Sequence, residues 1–235
     1  MTPLIIGNAA LYNAPCETVL QSIGPVDAII TDFPYLFKTS GGGKWRKARN
    51  NMERIAARGL NKGFDINTFD PSLYKSFITF CSNDQLHLIL PWLAKNYRRH
   101  AVLDWEKTNP VPMANRAYAA DKEFYVHGWQ RGAHPLGNKF EDMRRSVKCA
   151  VGKSKWDHPT VKPDKVMDKI MINVNAATIL DPLMGSGSTG IAALKAGKKF
   201  IGVERDPQSF FIACARIAEF YSTADNSRVP APIGV

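Results

Sequence analysis

With 235 residues, 45% of them hydrophobic, the chain suits one α/β domain with spare length for a loop insertion or small recognition lobe, and global disorder is excluded. Four scattered cysteines (Cys16, Cys81, Cys149 and Cys214) with no C-x-x-C pair argue against a disulfide framework and a zinc site, and no apolar run approaches the roughly 20 residues of a membrane span. A formal charge of +10 and a pI near 9.5 favour a polyanionic partner, because neutralising phosphates releases condensed counterions.

The N-terminus, Met1 to Ala10, lacks a basic stretch ahead of its apolar residues and makes a poor signal peptide; with the unpaired thiols it fits a reducing cytosol. Short apolar runs then alternate with amphipathic stretches, the pattern of an α/β fold with a mostly parallel sheet. Val26 to Thr31 predicts a strand. From Lys38 to Lys62 eight basic residues (Lys38, Lys44, Arg46, Lys47, Arg49, Arg54, Arg58, Lys62) face Glu53 alone, and Ser40 to Gly43 within them reads as a mobile loop. Phe77 to Cys81 predicts a second strand, and Asn83 to Asn96 a helix broken or started by Pro91. Ala101 to Trp105 and Phe124 to His127 are further strands. A second basic cluster comprises Lys139, Arg144, Arg145, Lys148, Lys153 and Lys155. Met167 to Val174 has helical spacing. The clearest unit follows: strand Ala177 to Leu180, a glycine-rich turn, helix Ser188 to Ala196, strand Phe200 to Val203 and helix Pro207 to Tyr221, with a loose tail from Ser222.

Two segments carry chemistry. Asp32-Phe33-Pro34-Tyr35 ends the first strand, where open parallel sheets bind ligands. The lone pair of an exocyclic base amine is delocalised and poorly nucleophilic. A carboxylate and a backbone carbonyl that accept its two N–H bonds favour the tetrahedral form, and these contacts strengthen as positive charge develops on nitrogen. An aromatic such as Tyr35 can stack on a base flipped out of the duplex. Alone, the tetrapeptide is also explained by ordinary turn chemistry.

The second segment is Asp181 to Gly190, DPLMGSGSTG. Gly185, Gly187 and Gly190 fit G-x-G-x-x-G, and the acidic Glu204 lies roughly 20 residues downstream, placed to accept ribose hydroxyls. This pattern leaves a nicotinamide or flavin dinucleotide open, whereas a Walker loop is excluded because no Gly-Lys-Ser/Thr follows. Asp181-Pro182 tilts the reading toward S-adenosylmethionine: a dinucleotide loop leaves its helix N-terminus free for an anion, whereas a carboxylate suits a sulfonium and an α-amino group.

Taken together, these residues resemble the amino-methylating DNA methyltransferases of the permuted, beta class (N6-adenine and N4-cytosine DNA methylases), in which the catalytic tetrapeptide precedes the cofactor loop. Gly7-Asn8 with Val26 to Tyr35, Phe80-Cys81-Ser82, Trp105-x-Lys107-x-Asn109-Pro110-x-Pro112, Glu123, His158-Pro159-Thr160-Val161-Lys162-Pro163, and Asp181 to Gly190 with Gly202-Val203-Glu204 carry the resemblance over most of the chain. It implies a Rossmann-like, seven-stranded S-adenosylmethionine-dependent methyltransferase fold, mostly parallel, with helices on both faces. It also implies one domain over 1–235, with a basic loop over 38–70 and a small DNA-recognition region over about 128–157. By carry-over, Asp32, Phe33, Pro34 and Tyr35 are catalytic, with Asp32 and the Phe33 carbonyl accepting the amine. Asn8, Thr160, Lys162, Asp181, Pro182, Leu183, Gly185, Ser186, Gly187, Thr189 and Glu204 are expected at S-adenosyl-L-methionine.

The sequence departs from the family at two places: Phe33 stands where the second residue is usually proline, and Asn8 where Asp is frequent. An Asp at the head of the tetrapeptide is commoner among adenine enzymes, and Ser among N4-cytosine enzymes, so adenine N6 is favoured with N4-cytosine as the alternative. Lys44, Arg46, Lys47 and Arg49 are expected to hold phosphates of double-stranded DNA, and Arg144 and Arg145 to read bases. No histidine has ligand spacing, and no metal is expected. The resemblance is compatible with a homodimer, no membrane association, and the cytoplasm of a bacterial or phage-infected cell. Rival readings are a nicotinamide-dependent oxidoreductase, which leaves the tetrapeptide and the basic segments unused, and a catalytically inactive DNA-binding homologue, prompted by Phe33.

Overall fold

The computed structural model describes residues 1–34, 63–110, 118–152 and 162–223. Among them lie β1 (Leu4–Ile6), β2 (Ala9–Tyr12), α1 (Cys16–Leu20), β3 (Val26–Asp32), β4 (Tyr74–Cys81), α2 (Leu86–Asn96), β5 (Arg99–Lys107) and β6 (Lys122–Trp129). They continue with α3 (Phe140–Met143), β7 (Ser146–Cys149), α4 (Asp164–Asn173), β8 (Thr178–Asp181), α5 (Ser188–Lys195), β9 (Lys199–Val203) and α6 (Pro207–Thr223).

The strands form one sheet in the order β1-β2-β9-β8-β3-β4-β6-β5-β7. From β2 through β9, β8 and β3 to β4 every pairing is parallel, whereas β6 runs antiparallel to both β4 and β5. The expected seven strands are nine among the described residues. The edge strands β1 and β7 have only 3 and 4 residues, too few for an alternation to register in sequence.

Both faces of the sheet are covered, which is why its central strands read as continuous apolar runs. Ala28, Ile30, Ile78 and Phe80 bury against Val166, Met167 and Ile170 of α4, Ala193 of α5 and Ala213 and Ile217 of α6. The alternate residues Ile29, Phe77, Leu180 and Val203 bury with Val19 and Leu20 of α1 and Ile89 and Leu93 of α2. Pro91 lies inside α2 and neither breaks nor starts it. The N–H it lacks would have met the carbonyl of His87, and both residues are on the exposed side, where water can take that carbonyl. At the foot of β3 Asp27 accepts the Ala177 and Thr178 N–H groups at 3.0 and 2.9 Å, which fixes the register of β8.

The chain builds outward from β3 through β4 and only later returns to add β8 on the other side. Strand order therefore reverses between β3 and β8, and the crevice at their carboxyl ends is where open α/β sheets bind ligands.

Candidate active site

Asp32 is the last residue of β3, level with Phe80 of β4. The Phe33 ring turns into the core, 2% exposed, with ring centroids of Phe64, Phe69 and Phe77 at 5.2, 6.0 and 6.2 Å. The bulky ring thus has room in an aromatic cluster that a proline would leave unfilled. Pro34 is held through its carbonyl, which accepts the Gln85 side-chain amide at 3.0 Å. Gln85 is buried, and its own Oε1 accepts the Ser82 N–H and hydroxyl in a capping box at the start of the turn leading into α2. The Ser82-x-x-Gln85 spacing is readable in sequence; its grip on the Pro34 carbonyl is not.

One strand away, Asp181 ends β8. It is 2% exposed, and burial pushes its carboxyl up to about 7 although the Thr189 hydroxyl and the Leu183 N–H, at 3.1 Å, pull it back; the Asp32 charge adds to the rise. The turn after it needs left-handed backbone at Gly185 (φ 52°) and Gly187 (φ 79°), and a Cβ on Gly187 would crowd Ala213 of α6 at 3.2 Å. Glu204, just beyond β9, accepts the Gly185 N–H at 3.0 Å and the Asp206 N–H at 2.7 Å, one on each oxygen. Burial raises its carboxyl and those two N–H groups oppose the rise. From below, Arg216 of α6 donates to the Ser186 carbonyl at 2.6 Å and to its hydroxyl at 3.0 Å. No sequence pattern marked Arg216, which reads as one more residue of an amphipathic helix.

Lys162, immediately before α4, donates to Asp32 Oδ2 at 2.9 Å and to Glu123 Oε1, with its ammonium 4.4 Å from the Phe80 ring centroid. Burial alone would lower this ammonium, but Asp32 and Glu123 outweigh it and hold it above the ordinary lysine range. Cys81 ends β4 in the same neighbourhood. Burial first, then Asp32 and Glu123, push its thiol up to about 12, so it stays protonated and is no nucleophile. Along the carboxyl edge the strands thus present Glu204, Asp181, Asp32 and, from the amino end of antiparallel β6, Glu123.

Pro182 and Leu183 lie in the turn after β8, and Thr189, in the first turn of α5, is buried beside Asp181. Asn8 is not brought to this edge. The parallel register sets Ala9 beside Phe200 and Tyr12 beside Val203, so Asn8 stands level with Lys199 at the amino end of β9, about 16 Å of strand from Glu204. There its N–H donates to the Tyr221 hydroxyl at 2.7 Å. The contact with the Glu204 backbone falls instead to Asn13 and Ala14, at 2.8 and 3.1 Å. Arg144 and Arg145 precede edge strand β7, whose Ser146 lies level with Asp104 of β5 and, through Phe124 of β6, with Cys81 at the end of β4; Arg144 pairs with Glu141 at 3.4 Å. His127 lies mid-strand on β6, level with Ile78, bonded to the Ser76 hydroxyl at 2.8 Å, and burial holds its imidazole down near 4. Tyr35, Thr160, His158, Lys153, Lys155, and Lys44, Arg46, Lys47 and Arg49 with the rest of the basic loop through residue 62 lie outside the described residues, as does the tail from residue 224. Among the described residues no cluster of three or more His, Cys, Asp or Glu is arranged to hold a metal ion, and no helix is long and apolar enough to cross a membrane.

This arrangement, two carboxylate-ended strands at a switch point with a glycine turn on one and Asp-Phe-Pro on the other, has known counterparts. A family model for N6/N4 DNA methylases matches residues 26–214. The chain belongs to that DNA methylase family. The methylase is 27% identical over 244 residues to the Type II methyltransferase M2.LlaDCHI of Lactococcus lactis subsp. cremoris, covering 89% of each chain. Over 133 residues it is 29% identical to the Type II methyltransferase M2.DpnII of Streptococcus pneumoniae, covering 49% of each. Its structure is similar to that of M1.HpyAVI in complex with S-adenosylmethionine, at a TM-score of 0.62 and 26% identity, over 88% of the methylase and 99% of that chain. It also shares the fold of the cytosine-N4-specific PvuII DNA methyltransferase, at a TM-score of 0.63 and 12% identity, over 94% of each. The Rossmann-like methyltransferase fold is therefore as expected.

Proposed function

We propose that the chain is a DNA methyltransferase that uses S-adenosyl-L-methionine to methylate adenine N6, with the target amine at Asp32. The observation that carries this reading is the placing of Asp32 and Asp181 at the carboxyl ends of the adjacent parallel strands β3 and β8, so that an acceptor for the amine and a pocket for a cationic cofactor share one crevice.

The residues on the β8 and β9 side fit that cofactor. A buried carboxylate such as Asp181, raised by desolvation, gains from a cationic ligand. Each Glu204 oxygen accepts one backbone N–H and keeps lone pairs for ribose hydroxyls. Gly185, Ser186 and Gly187 would hold the methionine part against the braced turn. When bound, S-adenosyl-L-methionine supplies an electrophilic methyl on its sulfonium. Asp32 and the Phe33 carbonyl accept the two amine N–H bonds, Tyr35 stacks on the flipped base, and the nitrogen lone pair takes the methyl as its bond to sulfur breaks, after which the methylated amine gives one N–H proton to water. The Asp32 carboxylate then faces the positive charge that develops on nitrogen, the point at which a fixed opposite charge lowers the barrier most. The packing of Phe33 supports activity over a catalytically inactive homologue, because the departure from proline is absorbed by the core. Asp rather than Ser at the head of the tetrapeptide supports adenine over N4-cytosine. Lys44, Arg46, Lys47 and Arg49 are assigned to phosphate contacts.

Amplified DNA made with N6-methyl-dATP in place of dATP should accept no labelled methyl, whereas DNA made with N4-methyl-dCTP should be labelled like unmodified DNA. The reverse pattern would assign the activity to cytosine N4.

A further inference from the structure

Three charge-bearing side chains meet at the carboxyl ends of β3 and β4. The Lys162 ammonium is shared between Asp32 and Glu123 over the Phe80 ring, and the Lys162 and Glu123 side chains are only 9% and 11% exposed, against 30% for Asp32. The most exposed member is the one that faces the crevice. Among the described residues, the contacts of Lys162 with Asp32, Phe80 and Glu123 lie on β3, β4 and β6, whereas the glycine turn and Glu204 belong to the β8 and β9 side. These contacts put the Lys162 ammonium beside Asp32, at the end of the crevice where the target base is placed.

A lysine ammonium paired with Asp32 alone would make a neutral couple, offering little net charge to an amine that is becoming positive. Glu123 adds a second carboxylate to that couple. It also holds the same ammonium as Asp32, and this second contact fixes the ammonium against Asp32. Through its other oxygen Glu123 meets Lys107 at 3.2 Å, an ammonium that lies over Trp105 and is 20% exposed. Among the described residues, the Cys81 thiol and the Asp181 carboxyl also lie near Asp32.

We propose that Glu123 is a positioning residue for methyl transfer: acting through Lys162, it orients Asp32 toward the target amine. This rests on the reading of Asp32 as the amine acceptor.

The test uses the full chain, duplex DNA and S-adenosyl-L-methionine, comparing wild type with Glu123→Gln, Glu123→Asp and the charge-balanced double variant Lys162→Met/Glu123→Gln. Glu123→Gln should lower kcat about tenfold with the cofactor KM within about twofold, the signature of an interaction realised in the transition state. Glu123→Asp, which retains the charge, should recover part of the loss. In the double variant Asp32 loses its ammonium partner, and the acid limb of the kcat profile should move up by about one pH unit. Wild-type kcat in Glu123→Gln with only a lower Tm would reduce Glu123 to a structural role and overturn the inference. A tenfold weaker cofactor KM at unchanged kcat in the double variant would assign Lys162 to the cofactor and overturn it equally. A wild-type chain that transfers no methyl to any DNA would overturn the Asp32 reading, and this inference with it.

Discussion

At the residue scale the departure Asp-Phe-Pro reverses its apparent meaning once the packing is seen. Phe33 in place of the usual proline prompted the reading of an inactive homologue, yet its ring is a buried member of the Phe64, Phe69 and Phe77 cluster. Phe33→Pro should therefore not improve the enzyme. Removing a buried aromatic side chain costs about 3–5 kcal/mol when the site cannot collapse, and proline recovers only part of the lost volume. Thermal unfolding should show the variant several degrees less stable, and an unchanged Tm would mean that the ring contributes little. Asp181 gives a second prediction. Its carboxyl titrates near 7 in the free protein, whereas an unfolded Asp titrates near 3.9. Between those values the native state holds more protons, so this group's contribution to stability is greatest below the lower value and is lost as pH rises through the upper one. A cationic cofactor favours the carboxylate and expels that proton. Cofactor affinity measured by calorimetry should rise from about pH 5.5 to 7 and then level off, and Asp181→Asn should flatten the curve. A flat wild-type curve would remove Asp181 from the cofactor site.

At the scale of elements, the sequence was most legible where strands are central. Val26 to Thr31 and Phe200 to Val203 are apolar runs because both faces of those strands are covered, and the glycines after Asp181 announce a turn that only left-handed backbone can make. Legibility failed for short edge strands and for side-chain contacts between distant elements. Asn8 was placed by adjacency to a glycine in a motif, but a parallel register, which a single sequence does not display, puts it at the wrong end of β9 and puts Asn13 and Ala14 beside Glu204. Lys162 was found by its motif, yet its partners are Asp32 and Glu123. Arg216 was missed because a helix interior masks a specific contact as amphipathic pattern. Its hydrogen bonds to Ser186 tie α6 to the glycine turn. Arg216→Met should keep most of the aliphatic packing but free the turn, weakening cofactor binding about tenfold with kcat at saturation little changed, as expected for uniform binding. Unaltered cofactor affinity would show that the turn holds its shape without the arginine.

At the scale of the whole molecule, the sheet turns two segments from opposite ends of the chain into neighbours. Topology does this: strand order reverses between β3 and β8, and that reversal opens the crevice in which Asp32 and Asp181 lie side by side. The chain's charge of +10 then supplies a general attraction for a polyanion without specifying sequence. The central claim is that this crevice methylates an adenine amine at Asp32. It is tested most directly by incubating the chain with labelled S-adenosyl-L-methionine and unmethylated genomic DNA, digesting the product to nucleosides and identifying the labelled one by mass spectrometry. N6-methyladenine from the wild type, and none from Asp32→Ala, is the predicted result. Label in N4-methylcytosine, or N6-methyladenine undiminished in Asp32→Ala, would contradict it.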